Sequence, residues 1–459
     1  VTRVSETDGL LGIAHVLVAN APNVFWLDAG PDATAGTSYV GSGRRVLSAR
    51  DGGVRVDGEV VGRDVLSVLD TLLREGRDRM EPATGQAQAD GPRFRGGWVG
   101  VLGYEYGAAL VGAPAAAGDL PDALFMECDR LWSLDHATGR IDLLLGEPLN
   151  AGERARAAAA EKTAAAEMRT VPEDTDVTRP SWRHDRAAYT AAIGSCLSSI
   201  GAGDAYQLCL TNEVRVPSRI DPFAAYLDLR RTNPAPYGGF LRIGDVAIAG
   251  SSPERFLSVS ADGRAESRPI KGTRRRDADP AVDAQLAHEL RADEKERAEN
   301  LMIVDLVRND LGRVATLGTV DVPELFAVES YPSVHQLVST VTATLAPGIT
   351  ALDAVRASFP AGSMTGTPKH RAMTILHGLE GGPRGLYSGA MGWLGTDGAV
   401  DLAMVIRSVV FAGGVARIGT GGGITALSDP AREVDETELK ARALLAALGA
   451  SATLPDGSA

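Results

Sequence analysis

Two tight-turn signals, Asp262 with Gly263 and Gly413 with Gly414, each lie between strand-like runs and constrain this chain more than any other feature. Asp-Gly and Gly-Gly pairs supply the positive φ angles of two-residue hairpin turns, which join neighbouring antiparallel strands. The runs 246–250, 255–260, 264–270, 402–411 and 415–420 read as strands, and 204–216 alternates like another. Helical spacing of apolar residues covers 61–73, 186–200, 283–311 and 432–448, and 151–168 is alanine-rich with interspersed charge. Helices mixed with hairpins in this order predict an α+β fold rather than a βαβ series.

The 459 residues allow two or three ordinary domains or one large composite one. A first region spans 1–168, a proline-containing acidic stretch at 169–184 reads as a linker, the segment 185–450 is denser in signals, and 451–459 is a tail. The glycine- and aromatic-rich stretch 96–107 (GGWVGVLGYEYG) predicts close backbone packing. A formal net charge of −13 argues against nucleic acid or an anionic membrane as the main partner. It leaves an anionic substrate open, because charge within a cleft decides that. Cys128, Cys196 and Cys209 are scattered and form no CxxC pair, so neither a disulfide framework nor a zinc site is expected. No basic segment leads into an apolar run, and no apolar stretch is long enough to span a membrane, so a cytoplasmic protein is expected.

Three constellations carry chemistry. Glu296 and Glu299 lie three apart on one expected helix, and Glu433 and Glu436 lie three apart on another. Each spacing puts two carboxylates on one face. Two such faces are either solvated surfaces or, brought together, an oxygen-only site for a hard cation such as magnesium. Counting outward from the Asp262 turn puts Ala261 opposite Arg264 and Glu254 opposite Lys271. That pair is either a cross-strand ion pair or an acid beside an amine nucleophile, which attacks only when neutral. The second turn puts Arg407 opposite Thr420, at the start of Gly421, Gly422 and Gly423. Those glycines are either a flexible turn or a place where backbone N–H groups and Arg407 receive an anion.

Longer motifs join these fragments. They are SSPE at 251–254, PIKGT at 269–273, ENLMIVDLVRNDLG at 299–312, SMTGTPK at 363–369, DLAMVIRS at 401–408 and GGGI at 421–424. In this order and spacing the chain resembles the chorismate-binding enzymes, which include the anthranilate, aminodeoxychorismate, isochorismate and salicylate synthases. The resemblance extends to the N-terminal region through FWLDAG, TSYVG and GGWVGVLGYEYG. It implies two β-sheets packed against each other with helices outside and the active site in a cleft between them. It implies Mg2+ held by Glu299 and Glu436 with Glu296 and Glu433 as companions. Arg407, Tyr387, Gly421, Gly422, Gly423 and Lys440 match groups around the chorismate carboxylates, and Gly272 and Thr273 match the ring lining. Glu254 matches a general acid, and His335 matches a histidine near the ring. Pro236, Tyr237 and Gly238 match part of a tryptophan pocket, but the Leu-Glu-Ser that accompanies it in relatives is Leu27, Asp28 and Ala29 here.

Two positions separate the branches of the family. Isochorismate and salicylate synthases carry a water-activating lysine where this chain has Gln207, which cannot act as a base. Anthranilate synthases carry alanine where this chain has Lys271. The resemblance therefore implies a covalent Lys271 route to 4-amino-4-deoxychorismate. The alternatives are anthranilate formation and a non-catalytic subunit of a chorismate complex. No cysteine sits in a GxCxG elbow, so a separate glutaminase subunit is expected to supply ammonia.

Overall fold

The computed structural model describes residues 2–3, 9–79, 93–166, 180–331, 334–451 and 453–455. The stretch read as a linker lies outside the described residues up to 179, as do 452 and 456–459 of the tail. The described strands form two twelve-stranded sheets. In the first, Val24–Asp28, Tyr237–Ile243, Val246–Ser252, Ser408–Ala412, Val415–Ile424 and Gln207–Pro217 are successive antiparallel neighbours. In the second, Val334–Thr344 borders Arg264–Ser267, which is followed by Arg255–Val259, Val400–Met404, Ala390–Gly395 and Gly97–Leu102. Both sheets thus draw strands from the first 168 residues and from the later segment.

The sheets stack face to face, because their strands are apolar on both sides. Phe25, Leu241, Ile248 and Val410 of the first sheet share a core with Val99, Val101, Met126 and Met391 of the second. Trp26, Phe240 and Ala249 point the other way, onto the helices Leu10–Asn20, Pro222–Thr232 and Pro430–Ala446. The outer face of the second sheet packs Trp98, Leu257 and Leu402 with Leu69, Val304 and Val355 of the helices Val65–Arg79, Glu294–Gly312 and Ala351–Ser358. Period-2 alternation sends successive residues into different cores. The expected layering, two sheets inside and helices outside, is the one found. Close backbone approach in 96–107 is also found, since a Cβ on Gly103 would stand 3.1 Å from Asp122 O and 3.2 Å from Gly385 O.

Three local expectations change. The Gly413 turn holds its register, with Ala412 opposite Val415 and Val409 opposite Ile418, and both glycines have positive φ. The Asp262 turn does not. Ser260 receives the N–H of Gly263 and donates its own to Arg264, so three residues form the loop and the ladder runs Val259 to Ala265. Gly263 at φ 83 takes the left-handed position such loops need. The hairpin strand also ends at Ser267, and Lys271 lies on a separate strand, Ile270–Arg275, on the far side of Val334–Thr344, where it pairs with Leu337, so the expected Glu254–Lys271 pairing does not form. The helix expected over 283–311 is two, Pro280–Ala292 and Glu294–Gly312, broken where extended Asp293 caps the second through Glu296 N. The strand expected over 402–411 is also two, Val400–Met404 and Ser408–Ala412, which belong to different sheets. Arg407, at φ 50, lies in the crossing rather than opposite Thr420, and Thr420 pairs with Asn212.

Candidate active site

Two of the chain's crossings between the sheets run side by side, and the site forms at that corner. Val246–Ser252 lies in the first sheet and Arg255–Val259 in the second, with Glu254 between them. The return crossing carries Arg407, whose carbonyl accepts from Ser251 N. Met404 N donates to Glu254 O, stitching the two crossings together.

Glycines form the floor. A Cβ on Gly419 would overlap the Tyr387 ring, so that ring lies directly on the strand. A Cβ on Gly422 would stand 3.0 Å from Glu433 Oε2 and 4.0 Å from Lys440 Nζ. On Gly423 it would stand 2.5 Å from Gln207 Nε2 and 3.6 Å from Lys271 Nζ. One bare stretch of backbone thus collects five of the expected site side chains. Gln207 heads the neighbouring strand and is fully buried, and neither end of its amide has a protein hydrogen-bond partner.

Lys271 reaches this floor from the strand Ile270–Arg275. The register slips at Gly272, whose φ is 79. A Cβ there would meet Leu290 Cδ1 at 2.8 Å and Glu296 Oε2 at 3.0 Å, so only glycine lets the acidic helix come this close. Burial presses the Lys271 ammonium toward neutrality, but the Glu299 carboxylate foremost, with Cys209, Glu254 and Glu436 beside it, outweighs burial and raises its pKa. The nucleophile candidate is therefore held as an ammonium here. Burial pushes Glu254 up to about 7, with Lys271 and then Ser363 pulling the other way. The acid and the amine are electrostatically coupled even though they are not ladder partners.

Glu296 and Glu299 lie on Glu294–Gly312, and Glu433 and Glu436 on Pro430–Ala446, which Asp429 caps through Arg432 N. Each carboxylate faces a basic side chain. Arg274 Nη1 is 3.5 Å from Glu296 Oε1, and Lys440 Nζ is 2.7 Å from Glu436 Oε1. Lys295 Nζ bridges the helices, 3.6 Å from Glu299 Oε1 and 3.3 Å from Glu433 Oε1. In these conformers no three His, Cys, Asp or Glu among the described residues converge as a metal-binding group. The donor set nevertheless suits a hard divalent cation. It is oxygen-only, it comes from two helices, and two of its members already share one positive nitrogen.

Arg407 is half-buried, and its pKa is lowered by burial against the opposing fields of Tyr387 and Glu436. Lys440 Nζ also donates to Gly421 O at 2.8 Å. Thr273 is exposed beyond the Gly272 bulge. His335 is buried, with one ring nitrogen 2.8 Å from Ser330 Oγ and the other 2.9 Å from Asp283 Oδ1. Both nitrogens are thus engaged, one by the strand Asp321–Ser330 and the other by the helix Pro280–Ala292, which carries Asp283. Tyr237 and Gly238 open a strand in the first sheet, with Gly238 opposite Asp28. Asp28 accepts from Arg230 Nε at 2.7 Å, Ser38 Oγ at 3.0 Å and Tyr226 OH at 3.2 Å.

Lys295, Ser363 and the pair Lys369–Asp310 had no role in the sequence reading. Lys295 is four residues before Glu299, a spacing that signals a helical ion pair, and Ser363 and Lys369 stand at the two ends of SMTGTPK.

A floor of glycines, cations aimed at it and carboxylates on two helices fit a small polyanion, and comparison with known proteins agrees. The family model for chorismate binding enzymes matches residues 32–446, and the chain belongs to that family. It is 45% identical over 458 residues to an aminodeoxychorismate synthase of Streptomyces pristinaespiralis, covering 94% of this chain and 62% of that protein. It is 43% identical to anthranilate synthase component 1 of Streptomyces coelicolor, covering 78% of this chain and 73% of that protein. The chain thus spans about three fifths of the first relative's length. The crystal structure of anthranilate synthase component I from Streptococcus pneumoniae superposes with a TM-score of 0.73 at 29% identity, covering 90% of this chain and 93% of that one. Among the described residues no helix is long and apolar enough to cross a membrane.

Proposed function

We propose that the chain converts chorismate and ammonia to 4-amino-4-deoxychorismate in the cytoplasm, on the route to 4-aminobenzoate and folate. The observation that carries this reading is the meeting of Lys271 Nζ and the Gln207 amide at Gly423, with Glu254 coupled to the amine. Arg407, Lys440 and the backbone of Gly421, Gly422 and Gly423 hold the substrate carboxylates, and Tyr387 backs the strand. Lys271, once neutral, adds through Nζ to ring carbon 2. The carbon 4 hydroxyl leaves as water with the proton of Glu254. Ammonia then attacks carbon 4, the bond from carbon 2 to Nζ breaks, and Glu254 takes back a proton from the new ammonium. Gln207 offers no base to water, which favours nitrogen over oxygen as the entering atom.

Glu296, Glu299, Glu433 and Glu436 would hold Mg2+, with the basic side chains that now face them moving aside. Bound there, the ion supplies charge that neutralises a substrate carboxylate and stabilises the departing oxygen. Ammonia comes from a partner glutaminase. The cysteines here do not suit that role, since all three are buried and burial raises each thiol pKa, for Cys196 to about 12. Asp28 already has three hydrogen-bond donors, which supports a structural rather than amino-acid-binding role for the strand pair it shares with Gly238.

The second reading, anthranilate formation, is favoured by the identity to the Streptomyces coelicolor protein. Product analysis with chorismate, Mg2+ and an ammonium salt separates the two. Aminodeoxychorismate is expected, together with a Lys271 adduct in the intact mass that Lys271→Ala abolishes. Anthranilate as the main product, or full ammonia-dependent activity in Lys271→Ala, refutes the reading.

A further inference from the structure

A cavity of about 20 Å³ adjoins Glu254. Its polar lining comes from Glu254, Arg255, Ser267, Asp310, Ser358 and Ser363. A buried water needs roughly 10–15 Å³ and two to four polar partners, so the space suits one water. Ser358 and Ser363 are 8% and 5% exposed, and neither hydroxyl has a protein partner at hydrogen-bonding distance and angle, although Ser363 lies close enough to the Glu254 carboxyl to favour its ionised form. Ser267 is already engaged, donating to Phe256 O at 2.7 Å. Buried hydroxyls are paired in native proteins, with protein or with ordered water. The far wall is fixed by an ion pair. Lys369 Nζ lies 2.7 Å from Asp310 Oδ2 and donates to Ser358 O at 2.8 Å.

We infer that one ordered water joins the hydroxyls of Ser358 and Ser363 to the Glu254 carboxyl, and that these two serines are positioning residues for the general acid. The inference rests on the role of Glu254 in the proposed function. The charged groups facing the carboxyl from its surroundings are Lys271 and, across the cavity, Asp310 with Lys369. Arg255, the next residue, is paired with Asp401 and Glu266. A water that donates to Glu254 favours the carboxylate, so its loss moves the titration midpoint upward.

The test is an infrared titration of the protonated-carboxyl band in the free protein, assigned to Glu254 by difference against E254Q. In the double variant S358A/S363A the midpoint is expected to rise by about half to one pH unit. The conservative pair S358T/S363T is expected to keep the wild-type midpoint. If the double variant fails to fold by circular dichroism, S363A alone is read the same way, with a smaller rise. An unmoved midpoint in a folded variant, or a crystal structure of the wild type with no water hydrogen-bonded to Ser363, overturns the inference. The readout uses no substrate. A shifted midpoint without chorismate amination sinks the proposed function and leaves the water standing, and the reverse pattern does the opposite.

Discussion

Lys295→Met tests whether the two acidic helices form a cation site. Its ammonium lies 3.3 Å from Glu433 and 3.6 Å from Glu299. At an effective dielectric constant of ~20, each contact carries about 5 kcal/mol of gross attraction. Most of that is offset, because Glu299 and Glu433 are 8% and 3% exposed and lose hydration, while the Lys295 side chain, 37% exposed, is screened by water. The net value falls between the ~0–1 kcal/mol of a surface pair and the ~3–5 kcal/mol of a broken buried one, at about 2 kcal/mol. Unfolding entropy of about 2.1 cal/mol/K per residue amounts to about 1 kcal/mol/K for this chain, so the metal-free variant should melt ~2 °C lower. Magnesium should have the opposite response. With no ammonium to displace, Lys295→Met should bind it about tenfold more tightly, a gain of about 1.4 kcal/mol. Calorimetric titration with Mg2+ and scanning calorimetry with and without it give both numbers. Weaker or unchanged magnesium affinity in a folded Lys295→Met would show that the lysine and the metal do not share these carboxylates.

Two further outcomes follow from buried charges. Glu254 must be protonated to act as an acid, and burial holds its pKa near 7; the chemical rate should therefore fall about tenfold per pH unit above that point, a limb that E254Q should lack. Single-turnover rates between pH 6 and 9 check this. Glu380→Gln leaves Arg384 without its carboxylate at 2.6 Å, both side chains being almost fully buried. A loss of about 3–5 kcal/mol is expected, seen as a fall of ~3–5 °C in Tm. Because Arg384 also donates to Cys209 O and Met364 O, activity should fall with it.

The layers and most elements were legible because period and turn chemistry are local. The Gly413 hairpin kept its register since both turn residues accept positive φ and nothing interrupts the ladder. The Asp262 hairpin slipped because the same Asp-Gly pair also serves a three-residue loop, and a shift of one residue moves every later pairing. Sequence spacing gave no warning that 402–411 changes sheets, because strands buried on both faces read as one apolar run. The acidic pairs were visible as spacing, yet what faces them was not. Arg274, Lys295 and Lys440 come from two helices and a strand. Glu254 and Lys271 meet for a reason unlike the one the register suggested. A sheet crossing carries the acid and a glycine bulge re-aims the strand of the amine.

The charge on Lys271 makes the strongest demand on the proposed chemistry. Its pKa is raised, although burial alone would lower it, because Glu299, Cys209, Glu254 and Glu436 face it. Glu299 and Glu436 are also among the four carboxylates read as metal donors. A divalent cation on those donors cancels much of the field that keeps Lys271 charged and leaves burial to act. Nucleophile and metal are then coupled: the amine is a protected ammonium without the ion and a usable base with it. Competitive acetylation followed by peptide mass spectrometry measures this directly. Lys271 should label several-fold faster at saturating Mg2+ than in chelator at the same pH, while exposed Lys162 labels equally in both. In Glu299→Gln, which removes one of the facing charges, the metal-free rate should already be raised and the magnesium effect reduced. Equal labelling of Lys271 with and without Mg2+, in protein shown by calorimetry to bind the ion, would mean that the acidic helices do not gate the amine, and activation of Lys271 would then have to come from the substrate itself.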